Sequence, residues 1–410
     1  MLDQPSDSLG SSSVIAVGEE GKLPLTRQKL WYGEPVPIPA RQLVAKRANV
    51  LLAWVCLVAP AAIAFNYIFR FGIDVPYWDQ WEFVPLLGEV FEGRLPFRLL
   101  AAQANEHRIL LPRVLMLLLA GLTRYNTLAE MYASWLMLCA MVAILFRVYA
   151  KSFGLSLWSL AKFIPVSWLV LTLRQRENLL WGWQVVIVLA CLLLFATLYL
   201  IQSAAEHPRG LALAIIAAAG CTFSFGAGLL VWPVGLAQLL WMRAHRRGAA
   251  SGGAGIILAW ILGSAICVGL FLWGYHRPGE DMPLSRVLRR PFLLLSSLSM
   301  AVGNPLADGP LNAQILGGIV LLLFLAVAVL HARGGIDLEK APLSLPLILW
   351  TLLAALLVTL GRVDVDPAAA LYSRYVTLMV PGLVGCYLAV LAIRNRGTRI
   401  VLGVAWASWR

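Results

Sequence analysis

Charge is what this sequence has least of. Asp, Glu, Lys and Arg make up 13% of its 410 residues, against 60% hydrophobic, whereas soluble domains carry about 25% charged residues. Mean hydropathy is +0.78. Cysteine is sparse, and Cys56, Cys139, Cys191, Cys221, Cys267 and Cys386 all fall inside apolar runs with no CxxC or metal-ligand spacing. They read as small core residues, neither disulfide partners nor ligands. The five histidines form no HxxxH pair. There is no GxGxxG, no Walker loop and no internal repeat of 20–50 residues, so the motif-borne dinucleotide, P-loop and solenoid classes have nothing to stand on. The net charge of +12 suggests nucleic acid only until it is placed. The excess Lys and Arg lie in loops between apolar runs, where they orient helices and meet anionic lipid, so no nucleic-acid partner is expected.

What is present is a series of apolar runs near 20 residues, separated by short polar pieces. That is the pattern of an all-α integral membrane protein. Residues 1–45, rich in Ser, Pro and Gly, read as a disordered cytoplasmic tail. The first run starts too late and is too long for a cleaved signal peptide, so it reads as an anchor over 48–69. Lys46 and Arg47 before it place the tail inside and the first loop, 70–127, outside. "ILLPRVLMLLLAGL" (Ile109–Leu122) is short and contains Arg113, and a central Arg costs about 2.5–3.5 kcal/mol on insertion scales. If it crosses, the basic clusters Arg243–Gly248 and Arg394–Arg399 fall outside. If it lies in the outer interface as a juxtamembrane helix, both fall inside and "VDVD" (Val363–Asp366) falls outside, which satisfies the positive-inside rule throughout. The expected spans are then 48–69, 128–150, 157–173, 183–203, 210–225, 228–242, 254–275, 312–332, 342–360 and 371–393, about ten. The chain divides into the tail, a module over 46–275, and an external loop with C-terminal spans over 276–410. The closing "IVLGVAWASW" is too short to span alone.

Under this topology the unusual polar residues converge on the outer side. "DVPYWDQWEF" (Asp74–Phe83) sets Asp74, Asp79 and Glu82 among aromatic rings just after the first span. Asn105, Glu106, His107 and Arg108 open the juxtamembrane piece. Arg174, Arg176 and Glu177 precede the fourth span, and Tyr372, Arg374 and Tyr375 open the last long one. Ionisable groups next to lipid are costly and persist mostly where they line a functional cavity. Each has a plainer reading beside it. Asp74 caps a turn before Pro76, and Glu82 sits on a solvated face. Glu106 and His107 are loop residues, and the arginines snorkel. Trp78 and Trp81 suit an interfacial aromatic belt, which explains the rings but not the acid between them. Glu89 and Glu92 read as solvated, and Arg243, His245, Arg246 and Arg247 as topology determinants.

These segments together resemble the GT-C superfamily of polytopic glycosyltransferases, in particular lipid A aminoarabinose transferases, protein O-mannosyltransferases and bacterial polyprenyl-phosphate-sugar transferases. "WDQW" resembles the acidic motif after the first helix, although Gln80 stands where many relatives carry a second acid. "EHRILLPRVLML" resembles the in-plane helix opened by His, without its Pro pair. "RQRENLLWGW" and "SRYVTLMVPGL" resemble later elements of the family. The likeness covers about residues 48–275 and 371–393. It implies a GT-C-like fold and transfer of a sugar from a polyprenyl-phosphate donor to an acceptor glycan, lipid or protein on the extracytoplasmic face of a bacterial inner membrane. An acceptor hydroxyl needs a base and a leaving phosphate needs cations. The resemblance therefore implies Asp79 as base with Asp74 and Glu82 beside it. It sets Glu106, His107, Arg108, Arg176, Glu177, Arg374 and Tyr375 near the donor phosphate. Relatives differ in metal use, so no cofactor is required, and Mg or Mn between Asp74, Asp79 and Glu177 is left open. The rival reading is a non-catalytic carrier or flippase for a polyprenyl-linked glycan, or a structural subunit of a cell-envelope assembly. A carrier would more often show inverted repeats or polar residues at the bilayer midplane.

Overall fold

The computed structural model describes residues 40–204, 209–245, 254–276, 289–337, 339–362, 366–395 and 397. The expected tail, the arginines at 246 and 247, most of "VDVD" and the closing apolar piece lie outside them. Residues 1–49 and 50–410 form two units. Of the first, residues 40–49 are helical and open α1 (Ala40–Phe71). The rest of the chain runs through a 3₁₀ turn (Trp78–Phe83), α2 (Val84–Phe91), α3 (Phe97–Leu100), a hairpin of β1 (Gln103–Ala104) and β2 (His107–Arg108), and α4 (Leu110–Thr123). Then come α5 (Leu128–Phe153), α6 (Leu157–Val170), α7 (Arg176–Leu180), α8 (Val185–Ala204), α9 (Arg209–Thr222), α10 (Val231–His245) and α11 (Ala254–Leu272). The chain closes with α12 (Pro291–Gly303), α13 (Pro310–Ala332), α14 (Ser344–Arg362) and α15 (Val376–Leu391).

Among the described residues, nine helical stretches are long and apolar enough to cross a membrane. They are Arg47–Phe71, Leu128–Phe153, Leu157–Leu180, Gly182–Ala204, Gly226–His245, Ala254–Leu272, Pro310–Ala332, Ser344–Arg362 and Ser373–Leu391. Backbone groups in hydrocarbon must be paired internally, and this architecture is that of an all-α membrane protein. The tenth expected span, 210–225, corresponds to the shorter α9. Its C-terminal neighbour Phe225 lines the same cavity as Val186 and Ile187 at the start of α8. The chain therefore returns along α8 to the end from which α8 began. The expected juxtamembrane piece Ile109–Leu122 is taken up by α4 (Leu110–Thr123), 14 residues long and about 21 Å at 1.5 Å per residue, below a span's length. Arg113 within it is buried, and its guanidinium takes the carbonyls of Leu99, Leu100 and Ala102, closing the C-terminal end of α3.

The stretch expected as an external loop from 276 to 311 contains α12. Its "SSLS" composition reads as loop, but those small residues let α12 lie against α13. A Cβ at Gly303 would collide with the Ala313 carbonyl oxygen, and one at Gly317 with that of Ser299.

Proline explains another set of cross-helix bonds. Pro60 inside α1 has no N–H for the carbonyl four residues earlier. That carbonyl, Cys56, accepts instead from the Trp168 indole at 3.0 Å. Beside it Ser167 donates to Leu57 O at 2.7 Å and Trp135 to Ala61 O at 2.9 Å.

Helix α5 has 26 residues, about 39 Å of rise. Cysteines placed at Asn126 and Lys151, in a background without the native cysteines, are expected to react with an impermeant maleimide from opposite sides of the membrane. Reaction of both from one side would remove α5 from the spans.

Candidate active site

Asp79 is placed by a strained turn. Trp78 has φ +46°, a conformation that costs on the order of 1–3 kcal/mol for a bulky residue. The surroundings enforce it. The Tyr77 N–H donates to Gln80 Oε1 at 3.1 Å, Gln80 Nε2 donates to Glu130 Oε2 at 2.8 Å, and the Trp181 indole donates to Tyr77 O at 3.0 Å. Gln80 and Glu130 are both buried. Gln80 thus carries a local tie to α5 in place of an acid. The Trp78 ring stacks on Tyr77 at 5.5 Å and meets Trp181 edge-on at 6.0 Å. The next side chain, Asp79, faces a cavity of about 180 Å³.

The hairpin supplies the opposite wall. Gln103 pairs with Arg108 and Ala104 with His107, and Asn105 in the turn has φ +49°, which Asn tolerates better than most residues. Arg108 anchors the hairpin instead of facing the cavity. Its guanidinium donates to Phe271 O at 2.7 Å, Ala101 O at 3.3 Å and Trp273 O. His107 does face the cavity. Its Nδ1 accepts the Gly226 N–H at 3.1 Å, an approach that needs glycine, since a Cβ there would come within 2.6 Å of the same nitrogen. The hydrogen of the neutral ring is then on Nε2, which lies 3.9 Å from Glu106 Oε2. Lost hydration against Phe225, 4.1 Å between ring centroids, together with Arg362 and Arg374, pushes the imidazole down to about 4, with Glu106 opposing.

This shift has a testable consequence. Between about pH 6.5 and 4 the unfolded chain binds a proton at this histidine that the folded chain does not, so folding stability from this site is full above pH 6.5 and is lost as pH falls toward 4. His107→Gln is expected to show a shallower fall in Tm from pH 7 to pH 5 than the wild type. Parallel curves would remove the assignment.

Two arginines complete the cavity. Arg362, at the end of α14, donates to Tyr375 Oη at 3.2 Å and lies 3.7 Å from Glu106 Oε1. Arg374 lies 3.6 Å from Glu177 Oε2, with its guanidinium 4.7 Å from the Tyr372 ring centre and 5.5 Å from that of Tyr375. The last loop and α7 are held together by Asn178, which donates to Arg374 O at 2.9 Å and Thr377 Oγ1 at 2.6 Å. Gln184, 3% exposed, also lines the cavity, and its Oε1 has no partner among the described residues. The arrangement sets two carboxylates, Asp79 and Glu106, two guanidinium groups and a neutral imidazole N–H around one space also lined by Trp78, Trp181 and Trp183.

Of the residues singled out in the sequence, Trp78, Asp79, Asn105, Glu106, His107, Arg374 and Tyr375 line this cavity. Glu177 stands behind it on Arg374. Asp74 does not reach it, because its Oδ1 accepts from Thr127 N at 2.7 Å and Thr127 Oγ1 at 3.1 Å, fixing the start of α5. Glu82 is exposed on the far side of the turn, and its carboxyl is raised by lost hydration and by Asp79, against Arg113. Arg176 is exposed and lies outside the cavity lining. Arg174 ties α7's entry to Asn304, Ala307 and Asp308. No three His, Cys, Asp or Glu side chains among the described residues gather as a metal-holding group.

Sequence reading passed over Arg362, Gln184 and Glu130. Two carried a signal: Arg362 is a base at the expected outer end of a span, against the positive-inside trend, and Glu130 is an acid just inside an apolar run.

No family model, no curated protein and no solved structure matches this chain.

Proposed function

We propose that the protein is a membrane glycosyltransferase of GT-C type that moves a sugar from a polyprenyl-phosphate donor to an acceptor on the extracytoplasmic face of a bacterial inner membrane. The observation that carries this reading is that Asp79, Arg362 and Arg374 share one cavity at the end of the apolar helices, brought together from two distant parts of the chain. Asp79 takes the acceptor hydroxyl's proton as the C–O bond to the sugar forms. Arg362 and Arg374 meet the phosphate as the sugar–oxygen bond breaks and charge collects on the leaving group. His107 Nε2–H is a further donor that carries no charge, and Trp78 and Trp181 offer faces for a sugar ring. The isoprenoid tail lies against the apolar helices beside the cavity. Asp74 fixes the start of α5, and Arg108 and Arg113 fix the hairpin and α3.

Purified protein in lipid vesicles, supplied with a panel of polyprenyl-phosphate-linked sugars and an envelope extract as acceptor source, is expected to release polyprenyl phosphate from one of them. Intact donor that only changes leaflet would support the carrier reading instead.

A further inference from the structure

A second cavity, of about 300 Å³, lies at the opposite end of the bundle, between α10, α13 and the start of α14. It is separate from the Asp79 cavity. The helix ends identify its depth: Trp241 Nε1 near the end of α10 donates to His331 Nε2 near the end of α13 at 2.9 Å, whereas the starts of those two segments lie at the Asp79 end. Its walls are aliphatic, with Ala237, Ala328, Leu345, Ile348, Leu349 and Leu352 among them, and among the described residues no Asp, Glu, Lys or Arg lines it. Ala328 on its rim is exposed, and Leu345, Leu349 and Leu352 are half-buried, so it opens on the flank of the helices where lipid lies.

Two buried polar atoms on residues of its lining have no partner among the described residues. Gln238 is 1% exposed, and its Nε2 donates to Leu198 O at 3.1 Å, leaving Oε1 unpaired. His331 accepts the Trp241 indole N–H at Nε2, since an indole can only donate. The hydrogen of the neutral ring is therefore on Nδ1, and that atom is buried and unpaired. The cavity thus offers one free acceptor and one free donor in an otherwise apolar lining. An ordered water would answer both, but would leave the aliphatic walls bare, and apolar cavities of about 150 Å³ stay dry. A hydroxyl on a hydrocarbon chain answers both and covers the walls. Among the described residues the lining holds no charge to compensate a phosphate or an ammonium group, which buried alone would be costly.

We propose that this cavity binds a neutral lipid bearing a free hydroxyl, of the diacylglycerol type, with the hydroxyl accepting from His331 Nδ1 and donating to Gln238 Oε1. The test is native mass spectrometry of the full chain, titrated with 1,2-dioleoylglycerol or with its O-acetyl ester, which has the same chains and no donor. The expected result is one dioleoylglycerol per chain and about tenfold weaker retention of the ester, the loss of one hydrogen bond with a buried partner left unpaired. Gln238→Leu is expected to erase the difference between the two lipids, and Ala328→Trp to block both. Equal retention of the two by the wild type, undiminished retention by Ala328→Trp, or ordered water alone in the cavity with neither lipid retained would overturn the proposal. If Gln238→Leu does not fold, the wild-type comparison and Ala328→Trp still decide it.

Discussion

Asp79→Asn is expected to leave expression and donor binding near the wild type and to reduce turnover by about 10²–10⁴. The amide keeps the size of the carboxylate and most of its hydrogen bonding but cannot take a proton from a hydroxyl. The position makes the test clean. The turn is held by its neighbours, Tyr77 and Gln80 through Glu130 and Trp181, so exchanging one oxygen for nitrogen at residue 79 leaves the scaffold in place. Glu89 is the control, because its carboxylate is engaged by Arg94 at 2.6 Å on the surface and away from the cavity lining. Glu89→Gln is expected to change turnover by less than about twofold, within what substitutions at solvated positions do. A purified Asp79→Asn protein with near-normal turnover would remove Asp79 as the base. Glu106 would then be the next candidate, as the other carboxylate in the lining. Unchanged transport of donor in both variants, with no transfer in either, would move the protein to the carrier class.

The helices were legible in the sequence because the bilayer imposes a length and an apolar composition on them. Residues 128–150, 183–203 and 312–332 coincide with described helices to within a few positions. Arg113 set α4 apart from the expected spans, and in the structure its guanidinium is taken up by carbonyls at the end of α3. α12 was not legible, because Ser and Gly at a helix contact look like Ser and Gly in a loop until the facing helix is known. The site was legible in outline, since polar residues at helix ends are few in so apolar a chain. Which of them face inward was not. Arg108 and Arg374 look alike in sequence, each near an aromatic or a carboxylate, yet one is consumed by the carbonyls of Phe271, Ala101 and Trp273 and the other stacks over Tyr372 beside the cavity. The difference lies in contacts 163 residues apart along the chain, beyond any local pattern.

Arg362 and Arg374 are expected to carry the second-largest effect. Removing one donor from a preorganised anion site typically costs about 10²–10³ in rate, and each Arg→Ala change is expected to fall in that range, with weaker donor binding as well. The two should differ in their repair. Arg374 sits over two tyrosine rings with Glu177 behind it. Lysine there keeps the charge but loses the planar stack and the fork of donors, so it should rescue poorly. Arg362 donates through Nε to Tyr375 Oη, a bond lysine can only replace by reaching the same oxygen with its single ammonium group, and partial rescue is expected. Arg176→Ala is the comparison: the residue is exposed, lies two positions from Arg374's partner loop contact at Asn178, and should change turnover by less than about twofold. Tm values close to the wild type separate a lost phosphate contact from a damaged fold. If both Ala variants bind and consume donor normally, or if Arg176→Ala costs as much as Arg374→Ala, the phosphate does not sit between these two arginines. The cavity's charges would then serve only to hold α14 to the hairpin through Glu106 and the turn before α15 to α7 through Glu177.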